Sequence, residues 1–205
     1  MQSIVLSRRD IKESDQIISF YTLEKGKLEI LARGVKKITS KNSAHLEPFS
    51  FVDVQIIKGK EINYLGAVQP INYFVNIRKN LQKSLSAGFL VSALNKLVHE
   101  GEGDARIFDL TMSWLEFVNS CEDLDINYRL LLDCYIVKLL YYMGLDIVES
   151  SKIPTGSKEY LETLSNGKWE VISKLEYKKQ IHNFIYKFLL YSTDRNIKDW
   201  GKVLK

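Results

Sequence analysis

Hydrophobic and polar positions change their period once along this chain. Up to about residue 76 they alternate in twos, and from residue 77 onward they recur every three or four positions. The first part predicts five short strands. Ile4-Val5-Leu6 is a β-rich run, and residues 17–22 are a second that ends at Glu24-Lys25-Gly26, a turn with glycine available for a positive φ. Leu28, Ile30 and Ala32 then alternate with Lys27, Glu29 and Arg33, as a half-buried strand requires. A fourth strand over residues 49–56 is closed by Lys58-Gly59-Lys60, and a fifth over residues 64–69 is stopped by Pro70. Five short strands within about 70 residues suit a small closed barrel, which leaves no edge exposed. Residues 35–44 are polar and rich in Lys and Ser, which predicts a mobile loop between strands three and four.

The second part predicts helices. Leu81, Leu85, Phe89, Leu94 and Leu97 share one face of a helix ending near Gly101. Asp104 is placed to cap a second helix that carries Ile107, Phe108, Leu115 and Val118. A third begins after Asp125, is apolar on most sides from Leu130 to Met143, and stops at Gly144. That pattern predicts the central helix of the domain. Residues 146–172 are irregular, with one short helix around Tyr160-Leu161. Ser173 and Glu176 form a capping box that opens a helix with Ile181, Phe184 and Phe188, and a last short helix holds Ile197, Trp200 and Leu204. The fold class is therefore α+β in two domains, a barrel over residues 1–76 and an all-α domain over 77–205.

Charge sharpens this division. Residues 1–78 hold twelve Lys and Arg against eight Asp and Glu, the whole of the net +4, while residues 79–205 hold seventeen of each. Six cations (Lys25, Lys27, Arg33, Lys36, Lys37, Lys41) fall within residues 25–41 against the single anion Glu29. Such a concentration is the footprint of a polyanion-binding surface; the competing reading is a solvated loop face. No apolar run reaches the roughly 20 residues that span a bilayer. The early charges Arg8-Arg9-Asp10 are the reverse of a secretory signal, so a cytoplasmic address is expected. Cys121 and Cys134 stand alone, which indicates neither a disulfide framework nor a metal site.

Arg9-Asp10, Glu13-Ser14-Asp15, a β run, Glu24-Lys25-Gly26-Lys27, a second β run and Arg33-Gly34-Val35-Lys36-Lys37 follow in an order that resembles the N-terminal signature of the RecO family. Leu46-Glu47-Pro48-Phe49, the strand to Ile57 and Lys58-Gly59 continue the resemblance, and the layout of the helical half is similar more loosely. The resemblance implies an OB-fold barrel that binds single- and double-stranded DNA, followed by a helical domain. It also implies a role in recombinational repair. Proteins of this kind anneal complementary strands and, with the partner RecR, help load the recombinase RecA onto DNA covered by single-strand-binding protein (SSB). One departure is clear. Many relatives carry a four-cysteine zinc module near the stretch that is here Pro154 to Ile172, which contains no cysteine, so no zinc or other cofactor is expected.

The residues suit that role. Cations displace the counterions condensed on phosphates, and aromatic rings stack bases. Arg8 and Arg9 close the first strand, Lys25 and Lys27 flank a turn, and Arg33, Lys36, Lys37 and Lys41 lead into the loop. Together they line one groove if the barrel forms as drawn. Tyr21 is the leading stacking platform because it alternates with Phe20; Phe49 and Phe51 read as core, and Tyr64 fits either role. Annealing needs no catalytic group, and none is evident. His45, His99 and His182 lie far apart, the latter two reading as partly exposed helix residues, and no GxxxxGKS/T phosphate loop occurs. Capping explains the acidic run Glu122, Asp123 and Asp125 better than a metal site does. On the Leu-rich helix, Arg129 and Lys138 supply cations, and Tyr135, Tyr141 and Tyr142 apolar walls, for a pocket that would take the acidic SSB tail. The simpler reading of the same residues is a core helix with snorkelling cations. The chief alternative for the whole chain is an OB-fold RNA-binding protein linked to translation or RNA processing. An enzyme with a site between barrel and helices lacks any clustered nucleophile, base or metal set.

Overall fold

The first strand is apolar on both faces, so both faces must be covered. In the computed structural model, which describes residues 1–101, 103–122 and 126–204, β1 spans Gln2–Asp10 and pairs antiparallel with β2 (Gln16–Thr22), which pairs with β3 (Gly26–Ala32). β4 (Phe51–Ile57) and β5 (Tyr64–Asn72) form a hairpin. β5 lies parallel to β3 through Leu31 and Tyr64, and β4 returns to β1. The closed order β1-β2-β3-β5-β4 is a five-stranded barrel of OB type.

Val5, Ile18, Phe20, Ile30, Val52 and Val54 fill the barrel interior. Ile4, Leu6 and Tyr21 join the helical core instead. The alternation that makes β1 and β2 strands thus serves two cores, one on each face. Each fully buried apolar side chain contributes about 1.5–3 kcal/mol, so this shared packing ties barrel and helices together strongly.

Three local expectations are corrected. The loop expected over 35–44 is fastened to the barrel. Val35 and, just beyond, Leu46 plug the barrel core, and a 3-10 turn forms at Ser43–His45. Pro70 does not stop β5, which runs on to Asn72. Pro70 pairs with Val52 where the register shifts, an irregularity at which a residue without an N–H is tolerated. Phe49 precedes β4 rather than sharing a strand face with Phe51. Its φ is 56°, and the Arg78 guanidinium lies 4.2 Å from its ring centroid. Arg78 also donates to the carbonyls of Tyr73 and Pro48 and to Ser50 Oγ, fixing the exit from the barrel.

Among the described residues eight α-helices follow: α1 (Val75–Arg78), α2 (Leu81–Leu97), α3 (Ala105–Ser120), α4 (Tyr128–Tyr142), α5 (Lys158–Asn166), α6 (Trp169–Ile172), α7 (Lys179–Thr193) and α8 (Trp200–Val203). Asn80, Asp104 and Asn127 cap α2, α3 and α4 by accepting backbone N–H groups. Gly144, with φ 79°, follows the end of α4 as expected. α4 is the central helix, buried on most sides and packed against α2, α3, α5, α6, α7 and α8. Asp123 and Asp125 lie outside the described residues. Residues 158–172, expected to be mostly irregular, form α5 and α6 and bury Leu161, Leu164 and Ile172. The Ser173–Glu176 capping box does not form. Ser173 instead ends α6, its hydroxyl donating to the Glu170 carbonyl, and α7 begins only at Lys179. Among the described residues no helix is long and apolar enough to cross a membrane.

His182 is buried, not partly exposed. It sits between two carboxylates, Nδ1 2.8 Å from Asp133 Oδ1 and Nε2 3.0 Å from Asp199 Oδ1, while Trp200 Nε1 donates to Asp133. Burial opposes charge on His182, but its bonds to Asp133 and Asp199 outweigh that and raise its pKa. Burial raises the pKa of Asp133 against the pull of its His182 and Trp200 hydrogen bonds. This clamp joins α4, α7 and α8.

Candidate nucleic-acid interface

Three connections of the barrel are stitched to one another. In the β1–β2 connection, Asp15 accepts the Gly34 N–H at 2.7 Å and the Ser14 carbonyl accepts the Lys36 N–H at 3.1 Å. Gly34 has φ 61°, a conformation that glycine adopts freely and that turns the chain out of β3. Lys36 Nζ donates to Asp10 at 2.6 Å, which holds the Asp10 carboxyl below its ordinary pKa. From the β4–β5 connection, the Asn63 carbonyl accepts the Leu31 N–H at 3.0 Å. Arg33 donates to Tyr64 Oη at 3.0 Å and lies 4.2 Å from that ring's centroid. Asn42 then donates to the Gly66 carbonyl, holding the loop against β5.

This stitching fastens the segment that carries Arg33, Lys36, Lys37 and Lys41 to the rest of the barrel, with Arg33 stacked on Tyr64. Lys37 and Lys41 are exposed and, among the described residues, form no ion pair; the same is true of Lys12, Lys58 and Lys60. Ile38, at the tip of the basic loop, is fully exposed, an apolar side chain held out among cations. A groove of about 680 Å³ along the barrel wall is lined by Lys25, Leu28, Ile56, Lys58 and Asn63.

Not every expected residue belongs. Tyr21 is fully buried against the helical core, its hydroxyl 3.3 Å from the Asp104 carbonyl and its pKa pushed up to about 12 by burial, so it cannot stack a base. Lys27 Nζ donates to the Asn95 carbonyl at 2.6 Å in the last turn of α2, where a cation satisfies a helix end. Arg8 is engaged by Gln16 and Glu47 and secures the return of the loop to β1. Arg9 is exposed, 3.5 Å from Glu29. Lys25 is exposed at the opposite end of β3 from Arg33, eight residues and about 26 Å away along an extended strand, so the cations of 25–41 do not form one cluster. Conversely, Lys58, Lys60 and Ile38 were not singled out. In sequence the Lys-Gly-Lys turn counts as the end of a strand and, through Lys58-Gly59, as part of the family resemblance, while its position between two strands is a signal for the site as well.

The expected pocket on α4 does not form. Tyr135 is fully buried, its hydroxyl 3.0 Å from Thr111 Oγ1. Arg129, nine residues before Lys138 and so about 14 Å away along α4, faces Tyr177 instead. Lys138 and Tyr142 do line a common groove of about 510 Å³ with Arg106, Leu110, Lys168 and Trp169. Lys138 Nζ donates to the Ser165 carbonyl at 2.9 Å, and the Arg106 guanidinium lies 5.2 Å from the Tyr142 ring centroid. Among the described residues no group of three His, Cys, Asp or Glu side chains is placed to hold a metal ion.

The chain is similar to known proteins. The family described as Recombination protein O N terminal matches residues 1–74. The chain is 30% identical over 145 residues to a DNA repair protein RecO of Desulforamulus reducens, covering 71% of this chain and 55% of the relative. It is 27% identical over 195 residues to that of Caldanaerobacter subterraneus, covering 93% and 78%. With that of Geobacter metallireducens it shares 28% over 145 residues, covering 71% and 59%. The chain thus spans little more than half the length of two of these relatives.

Proposed function

This chain belongs to the RecO family of DNA repair proteins, and we propose that it binds single- and double-stranded DNA, anneals complementary strands and, with RecR, assists RecA loading on SSB-coated single strands. The observation that carries this reading is that the two barrel connections carrying Arg33, Lys36, Lys37 and Lys41, and Lys58 and Lys60, are fastened in place, by Asp15, Asp10 and the Arg33–Tyr64 stack, while most of these cations stay exposed. Cations held there neutralise the phosphates of two strands without reading sequence. Loops fixed by hydrogen bonds lose little freedom on binding. The exposed part of the Arg33–Tyr64 stack and the Ile38 side chain offer flat or apolar surface to bases. No step of annealing requires a proton transfer or a covalent intermediate, so the role is non-enzymatic. For the acidic SSB tail, the groove bounded by Arg106, Lys138 and Lys168 with Tyr142 and Trp169 supplies three cations against the two carboxylates Asp109 and Glu170 that also line it, replacing the set expected on α4 alone.

The test is the annealing of complementary oligonucleotides, bare and SSB-coated, across a salt series. Annealing faster than the spontaneous rate and suppressed by salt is the expected result. No acceleration, or a clear preference for RNA over DNA, overturns the reading.

A further inference from the structure

A second basic groove lies on the helical half. It runs along α7 beside residues 150–154 and encloses about 1030 Å³. Its charged lining residues are Lys152, Lys179 and Lys187, all cations, although residues 79–205 as a whole balance seventeen of each sign. Between them stand Phe184, Phe188 and Tyr191. The Phe184 and Phe188 centroids are 6.3 Å apart, and Lys152 Nζ is 5.0 Å from the centroid of Tyr191, a ring 83% exposed.

We propose that this groove is a second binding site for single-stranded nucleic acid, separate from the barrel surface, so that one chain holds two strands at once. The inference rests on the DNA-binding role proposed above. Lys179 and Lys187 are eight residues apart on α7, about 12 Å along the helix axis, which an unstacked strand covers in about two nucleotides. Cations alternating with rings are what a single-strand channel uses, the ammonium groups taking phosphates and the rings taking base faces. Gln180 and Asn183 add amide groups that both donate to and accept from base edges. The rings spread over two turns of α7 rather than converging on one cavity, which suits a repeating unit with stackable faces better than a peptide with one apolar anchor. Two strands on one chain meet at the high effective concentration of a tethered pair, which accelerates annealing beyond what charge neutralisation alone gives.

The experiment offers the protein two non-complementary DNA oligonucleotides of about 20 nucleotides, labelled as donor and acceptor, and reads energy transfer between them. Wild-type protein should bring both onto one chain. The Lys152→Glu/Lys179→Glu/Lys187→Glu variant should bind one oligonucleotide within about twofold of wild type, lose the transfer signal and anneal about tenfold more slowly. Tyr191→Ala, at an exposed position that leaves folding intact, should lower the two-strand signal about threefold. A wild-type protein that binds one oligonucleotide but never two overturns this inference and leaves the barrel reading standing. So does a groove variant whose two-strand signal is unchanged, or a groove that binds an acidic peptide and no oligonucleotide. A wild-type protein that binds none overturns both.

Discussion

Replacing His182 by phenylalanine keeps a ring of similar size between Trp200 and Tyr186 but removes both nitrogens from the clamp. Asp133 is then left buried with only the Trp200 N–H to answer its charge. Removing one partner of a buried pair costs about 3–5 kcal/mol. For a chain of this length each kcal/mol moves the melting temperature by about 2–4 °C, so His182→Phe should melt about 6–20 °C below wild type. The loss has a defined pH dependence. The folded pKa of His182 is raised above its ordinary 6.5, so the stability it contributes is full below that value and is lost as pH rises through the folded value. Asp133, whose pKa burial raises, costs the fold stability as pH rises with or without His182, so the shrinking of the deficit comes from His182 losing its charge. Asp199, whose burial is outweighed by His182, the Gly201 N–H and Lys202 together so that its pKa is lowered, contributes at the acid end instead, its share lost as pH falls through its folded value. The deficit of His182→Phe should therefore be largest near pH 6 and shrink towards pH 9 in thermal melts followed by circular dichroism. Asp133→Leu/His182→Phe, which removes the buried charge with its partner, should recover most of the loss. A single variant within about 1 kcal/mol of wild type at pH 6, or a double variant less stable than the single, would refute the reasoning.

Other consequences are smaller. Gly201→Ala puts a Cβ 2.3 Å from His182 Nε2, so it should destabilise the protein by about 1–3 kcal/mol in the same melts, the usual cost of overpacking. Tyr21→Phe deletes the hydroxyl's bond to the Asp104 carbonyl and the one it accepts from the Asp104 N–H. It should cost about 0.5–1.5 kcal/mol in a denaturant titration and leave oligonucleotide affinity unchanged, whereas a stacking role would weaken binding. Lys58→Glu/Lys60→Glu should lower the magnitude of the salt slope for single-stranded DNA by about 1.4, two phosphate contacts at about 0.7 each, measured by fluorescence anisotropy.

The barrel was legible because alternation is a local property. What alternation cannot say is whether the outward face meets water. Ile4-Val5-Leu6 held a hint, since three consecutive apolar residues leave neither face polar, and the structure uses both faces. Tyr21 was misjudged for want of that hint, because a residue opposite the barrel core is a platform only where no helix covers it. The central helix was legible from its unbroken apolar character, and Gly144 from its place after it. The capping box failed because Ser173 was already engaged in ending α6, so a correct local motif lost to its neighbour. The clamp joins residues 49 and 17 positions apart, which no local pattern reports. The same division runs through the candidate site. The basic run 33–41 was visible as composition, but which of its cations face solvent depended on where β3 begins and ends. Lys27 went to a helix end and Lys25 to the far end of the strand, while Lys58 and Lys60 arrived from another connection.

The central claim is that the stitched loops of the barrel hold phosphates, and the dependence of affinity on salt tests it most directly. Four to six contacts on a single strand predict a slope of log affinity against log salt of about −3 to −4. Lys36→Glu/Lys37→Glu/Lys41→Glu should flatten that slope by about 2 and slow annealing in proportion, while melting within a few degrees of wild type, because Lys37 and Lys41 form no ion pair among the described residues and the Lys36–Asp10 pair is exposed and adds little stability. A wild-type affinity indifferent to salt, or a reversed variant that keeps the full slope, would contradict the account.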